Sequence, residues 1–256
     1  LYDVLANLKL VESSRICLHE SHENKRLHKT RQIIDEEGIL RHPPLAILMQ
    51  NDQYLIIDGA HRTFALQALG CKHIPIQVVD HADFHLDMWD HIVPVAAWLQ
   101  SVEQNSEFRW ETERLRETPV AEMKIGNKER FYLYPNENRQ DDEWRMTLWR
   151  QLVDSYNYSH TVQRLPTGMI EWPEVGTALI RFPLISLADL ERIVSEGHVL
   201  PAGVTRFEID GRLLNLCIPI SLLKQEQIEL EQWERLVKKW RETLRLYSKP
   251  VYMCDA

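Results

Sequence analysis

Asp58, Gly59, His61 and Arg62 have the residue types and spacing for holding phosphate. An apolar run (Leu55, Ile56, Ile57) ends in Asp58-Gly59. His61-Arg62 then open a segment with apolar residues at helical spacing, Phe64, Leu66 and Leu69, which Gly70 closes. A strand handing over to a helix presents unpaired backbone N–H groups at the positive end of the helix dipole, a ready site for anions. Gly59 allows close backbone approach, and the Arg62 guanidinium can fork onto two phosphate oxygens. His61 is a donor for a phosphate oxygen, and the Asp58 carboxylate suits a hard cation such as Mg²⁺. A simple helix-capping role for Asp58 fits the same pattern. Neither a Walker A motif nor a kinase glycine-rich loop occurs in the chain.

The elements that must position this turn are legible around it. Leu8 to Leu18 reads as one or two short strands ending at His19-Glu20. Asn24 to Glu37 reads as a helix stopped by Gly38, and Leu45 to Ile57 as a hairpin around Asn51-Asp52. With the helix after Arg62 and a strand over Ile74–Val79, they make a compact α/β unit. Beyond it, Asp83 to Gln104 reads as a long helix interrupted near Pro94. Met123–Ile125 pairs with Phe131–Leu133, and Trp144, Leu148, Trp149 and Leu152 repeat at helical spacing. Ser186 starts a short helix ended by Gly197, and Val204 to Ile220 reads as a hairpin around Asp210-Gly211. A last helix carries Leu230, Trp233, Val237, Trp240 and Leu244. We read the tryptophan stripes as core, although the last one serves a second chain equally well, which leaves the oligomeric state open.

Four blocks of the chain resemble a known family. The turn Asp58-Gly59-Ala60-His61-Arg62 resembles the core of the ParB/sulfiredoxin superfamily, whose members bind nucleotide phosphates on a Gly-x-x-Arg turn. Sulfiredoxins carry a reactive cysteine where this chain has Ala60, which excludes thiol chemistry there. Together with Leu18-His19-Glu20, Ile39-Leu40-Arg41-His42-Pro43 and Pro201 to Phe207, continuing through Asp210 to Leu216, the turn is similar to the free L-serine kinases. Bacterial members of that family serve staphyloferrin B-type siderophore pathways. The resemblance implies an α/β (α+β) fold. Residues 1–82 would form a small ParB/sulfiredoxin-like nucleotide-binding domain, packed against a mixed α/β substrate-binding domain over 83–256.

It also implies roles. Glu20 is the carboxylate that accepts the serine hydroxyl proton; taken from the sequence alone, it reads as an exposed surface glutamate. Gly59, Ala60, His61, Arg62 and Thr63 cradle the nucleotide phosphates; Arg41 and His42 are read as further nucleotide contacts from their own position, in the non-helical loop that Pro43-Pro44 fix near the expected nucleotide edge. Asp58 and His61 assist catalysis, Asp58 as a Mg²⁺ ligand. Thr205 and Arg206 hold the serine carboxylate, unless Arg206 pairs with Glu208 or Asp210 at a strand edge. The donor implied is ATP, with ADP as the alternative because archaeal relatives spend ADP.

Composition narrows the field. A formal charge of −8, with 44% apolar and 27% charged residues, describes a soluble globular chain without the basic footprint nucleic acid requires. The patch Lys25, Arg26, Lys29 and Arg31 reads as the solvated face of a helix. Cys17, Cys71, Cys217 and Cys254 form no C-x-x-C pair, so no zinc cage or disulfide framework is expected. Nine of the eleven histidines fall in the first 91 residues, but none sits in a metal motif. No signal peptide or membrane helix is expected, and the expected location is the cytoplasm. Two rival readings remain: a ParB-like nucleotide- or DNA-binding module, and a catalytically silent ligand-sensing regulator.

Overall fold

The computed structural model describes residues 3–22, 24–136 and 141–246; Cys254 lies outside them. In chain order the elements are β1 (Leu8–Glu12), β2 (Ile16–Leu18), α1 (Asn24–Glu37), β3 (Ile39–Leu40), β4 (Leu45–Leu48), β5 (Tyr54–Asp58), α2 (Ala60–Ala68), β6 (His73–Val78), β7 (Phe84–Pro94) and α3 (Ala97–Glu103). There follow β8 (Phe108–Glu111), β9 (Ala121–Ile125), β10 (Glu129–Pro135), α4 (Asp142–Asn157), β11 (Gln163–Pro166), β12 (Thr177–Arg181), α5 (Leu187–Ser195), β13 (Thr205–Ile209), β14 (Ile218–Pro219), α6 (Ile220–Leu223) and α7 (Leu230–Thr243). This is a mixed α/β chain in two compact units, each built from separate segments. One comprises Leu1–Ile16, Asn24–Asp83 and Ile209–Ala256, and the other Cys17–Glu23 and Phe84–Glu208.

The sheet of the first unit runs β1-β6-β4-β5-β2, and the chain leaves this unit at Ile16, inside β2. β4 is central, antiparallel to β5 and parallel to β6. Leu45 is paired with Asp58 on one side and Gln77 on the other, which sets those two polar residues at one level of the sheet. Ile47, Leu55, Ile56, Ile74 and Ile76 are fully buried. Each such side chain is worth about 1.5–3 kcal/mol relative to exposure, so the strand leading into the phosphate turn is firmly anchored. Helix α2 buries Thr63, Ala65 and Leu66, and α1 packs against it. The basic residues Lys25, Arg26, Lys29 and Arg31 of α1 are exposed, as expected of a solvated face. β14 pairs with β3, through Ile218 opposite Leu40.

The sheet of the second unit runs β11-β7-β12-β9-β10-β8, with β13 also paired to β7. Phe131 lies opposite Met123 in the β9–β10 pair, as the sequence suggested. Leu148, Trp149 and Leu152 of α4 are buried with Tyr156, Phe182 and Met88. Asp141 caps α4 and Ser186 caps α5, each accepting a backbone N–H.

Three expectations require correction. Residues 84–94 form strand β7, and only Ala97–Glu103 is helical. Leu86, Trp89 and Val93 have helix-like spacing, but buried Asp90 takes Arg181 from the neighbouring strand β12, and buried His91 meets Tyr156 of α4 and the Gly203 carbonyl. No hairpin spans 204–220: β13 joins β7, β14 joins β3, and the chain enters the first unit at Ile209. Asn215 and Cys217 adopt positive φ (59° and 54°), which breaks the extended run a second hairpin strand would need. Finally, the stripe on α7 is core only at Trp240; Leu230 and Leu244 are exposed.

Candidate active site

In the first unit the turn expected to hold phosphate is built around Gly59. Its φ of 89° is the left-handed conformation that lets β5 stop and α2 begin within one residue. A Cβ at Gly59 would sit 2.7 Å from Nη2 of Arg62, so the arginine lies directly across the glycine. Arg62 donates from Nη2 to Oδ2 of Asp58 (2.9 Å) and from Nη1 to the carbonyl of His42 (3.2 Å). Thr63 returns both its N–H and its hydroxyl to the Gly59 carbonyl, closing the first turn of α2.

A second guanidinium completes the cluster. Arg212 donates to the same Oδ2 of Asp58 at 2.6 Å. Burial pushes the Asp58 carboxyl up, but the two guanidiniums more than offset this and hold it below the usual carboxylate range. One carboxylate between two arginines carries a net positive charge, set beside the N-terminus of α2. That combination suits an anion with several oxygens. The segment bearing Arg212 is fixed on both sides. Gln77, buried in β6, donates to the Gly211 carbonyl (2.8 Å) and accepts the Leu213 N–H (2.8 Å), and His42 Nδ1 accepts the Asn215 N–H at 2.9 Å.

The expected residues therefore divide. Asp58, Gly59, Arg62, Thr63 and His42 form one cluster, with Ala60 buried at the start of α2 and the partly buried His61 next to it. Arg41 instead forms a bidentate ion pair with Glu37 (both bonds 2.9 Å), and only its carbonyl, which accepts the Leu216 N–H, supports the neighbouring loop. Sequence reasoning assigned no role to Arg212 or Gln77. A glutamine inside the apolar run Ile74 to Val79 was the available signal, because a buried amide needs partners.

In the second unit, Glu20 is not a loose surface side chain. Its backbone bridges to Leu200, and its Oε2 accepts the N–H of Gly203 at 3.0 Å. His19, 2% exposed, meets the Thr205 hydroxyl through Nε2 at 2.9 Å and packs edge-on against Phe207. Two blocks far apart in sequence thus form one cradle. Gly203 has φ of 76°, and its carbonyl accepts from Nε2 of His91 (2.7 Å) and Nε of Arg164 (3.3 Å). Arg206 lies over the Trp89 ring and is paired with Asp87 (3.5 Å) and Glu208. The Glu208 alternative at the strand edge is thus occupied.

His91 is fully buried, and desolvation pushes it down from 6.5 to about 4. The folded state keeps it neutral, whereas the unfolded chain takes up a proton below about 6.5. Between these values the unfolded state binds more protons, so stability is lost as the pH drops from about 6.5 to about 4, by on the order of 3 kcal/mol in full, and is unaffected by this group at higher pH. Denaturant unfolding from pH 7 to pH 4 should show this loss, and His91→Gln should reduce it.

Among the described residues no group of three or more His, Cys, Asp or Glu could hold a metal, and no helix is long and apolar enough to cross a membrane. Mg²⁺ commonly takes one or two protein carboxylates and the rest of its oxygens from phosphate and water; the charged Asp58 is a carboxylate of that kind, with Oδ2 shared by Arg62 and Arg212.

The family model of the ParB N-terminal domain matches residues 6–88, which include this turn. Similarity extends much further to one enzyme. The ATP-dependent L-serine kinase SbnI of Staphylococcus aureus is 35% identical over 97% of this chain and 97% of its own length. The chain belongs to this family of L-serine kinases. A structure of C-terminally truncated SbnI from S. aureus superposes with a TM-score of 0.82 at 34% identity, covering 95% of this chain and 99% of that one. A free serine kinase in complex with AMP has the same fold, with a TM-score of 0.70 at 18% identity over 85% of this chain and 93% of its own. An ATP-dependent L-serine kinase from Desulfurococcus mucosus is 32% identical over 31% of this chain and 32% of its own length. Its donor is ATP, so the division of donors between archaeal and bacterial relatives drawn above does not hold for this relative.

Proposed function

We propose that this chain is a free L-serine kinase that moves the terminal phosphoryl of ATP onto the serine hydroxyl, with O-phospho-L-serine and ADP as products. Family membership supplies the reaction. The observation that carries it to particular atoms is the Glu20 carboxylate, held by the Gly203 N–H within a hydrogen-bonded cradle.

Phosphoryl transfer is mainly positioning and charge stabilisation. In this reading Arg62 and Arg212, held by Asp58, receive the phosphate oxygens together with the N–H groups at the start of α2, and His61 and Thr63 complete the turn. Asp58 would hold Mg²⁺, directly or through water, and the ion would supply neutralisation of the phosphate charge. His42 supports the turn. Arg41 contacts the nucleotide only if its pair with Glu37 opens. Glu20 accepts the hydroxyl proton as the oxygen attacks phosphorus. Thr205 and Arg206 hold the substrate carboxylate, which displaces the exposed Glu208 from the guanidinium. We assign nucleotide binding to residues 1–82, joined by Arg212, and serine binding to the rest of 83–256. The product would serve as a precursor in siderophore assembly.

The test is serine-dependent ADP release, followed in a coupled assay with ATP and Mg²⁺. Release should need L-serine, and should fall sharply with L-alanine, which lacks the attacking oxygen. Equal release without any amino acid would mean an ATPase instead.

A further inference from the structure

Glu20 can act only if its carboxylate is kept in one place, and its observed hydrogen-bond partner is the N–H of a glycine. Gly203 lies in the left-handed region and has no Cβ to restrain it, so this donor is soft unless something outside the loop grips it. β7 does so twice. The Trp89 N–H donates to the Val204 carbonyl at 2.8 Å, and one strand position-pair along, His91 Nε2 meets the Gly203 carbonyl at 2.7 Å. Arg164 on β11 adds a longer contact to the same carbonyl, and lies so close that a Cβ on Gly203 would fall 2.4 Å from its Nε.

The chemistry of His91 is fixed by its partners. A carbonyl only accepts, so Nε2 must carry the proton. The Tyr156 hydroxyl, 2.8 Å from Nδ1, then donates to the other nitrogen. Both residues are fully buried, and the imidazole is edge-on to the rings of Tyr156 and Phe182. Burial holds His91 neutral, as the single tautomer needs. Burial obliges both imidazole nitrogens to find partners, and one of those bonds ends on the loop that carries the catalytic carboxylate's donor.

We propose that His91 is the positioning residue of the catalytic carboxylate: the line Tyr156 Oη–His91–Gly203 fixes the N–H that holds Glu20. The inference rests on the reading of Glu20 as the proton acceptor. His91 touches no reactant, so its loss should lower kcat and leave the KM for ATP unchanged.

The experiment compares kcat and KM for phosphoserine formation in His91→Leu, His91→Gln, Tyr156→Phe and Glu20→Gln, each with a melting curve. His91→Leu removes the donor and should lower kcat about tenfold to a hundredfold. His91→Gln places an amide N–H near the Nε2 position and should stay within about threefold of wild type. Tyr156→Phe removes the hydroxyl that anchors Nδ1 at almost constant shape, which loosens the ring and should lower kcat severalfold. If His91→Leu does not fold, Tyr156→Phe and His91→Gln still decide the matter. Full kcat in Tyr156→Phe, or equal losses in the Leu and Gln variants, overturns the positioning role. If Glu20→Gln is as active as wild type, the error lies in the role of Glu20 itself. An inactive Glu20→Gln beside a fully active His91→Leu overturns the His91 role alone.

Discussion

Replacing Glu20 by glutamine should lower kcat for phosphoserine formation by about 10²–10⁴-fold, the usual contribution of a positioned general base. The change is nearly isosteric. A glutamine carbonyl oxygen can still accept the Gly203 N–H that now meets Oε2, so the cradle keeps its shape while losing the ability to take a proton. Nucleotide affinity should stay at its wild-type value, because the phosphate turn is built from Asp58, Gly59, Arg62 and Arg212. Steady-state kinetics with calorimetry on the same preparation separates the two quantities. An active Glu20→Gln enzyme would remove Glu20 from the chemistry.

The second large effect is expected at Arg62. Truncation to alanine should weaken ATP binding by about tenfold to a hundredfold, since a charge-assisted hydrogen bond is worth about 1.5–3 kcal/mol. The fold should survive, because Asp58 keeps Arg212 at 2.6 Å and is not left as an unpaired charge. Lysine should rescue little, as it lacks the planar fork that meets two phosphate oxygens. Calorimetric titration with ATP checks this, and unchanged affinity in Arg62→Ala would mean that the phosphates bind elsewhere.

Features written locally in the chain could be read from it. Gly59, needed for a left-handed turn, marked the hand-over from β5 to α2. Gly38 and Ser186 marked helix ends in the same direct way. What could not be read depends on partners distant in sequence. Gly203 holds a carboxylate 183 positions away, Arg212 reaches Asp58 across 154, and Gln77 pins Leu213 across 136. No spacing rule anticipates such pairs. Strand β7 was obscured for a related reason. Asp90 is buried because Arg181 forks onto it, and His91 because Tyr156 and Gly203 meet its two nitrogens. Without those partners in view, Leu86, Trp89 and Val93 look like one face of a helix.

The most direct measurement is mass spectrometry of the products formed from L-serine, Mg²⁺ and, in parallel, ATP, ADP or CTP. We predict O-phospho-L-serine in the ATP reaction, in step with ADP. Its absence with all three nucleotides, from protein that binds ATP, would contradict the kinase assignment.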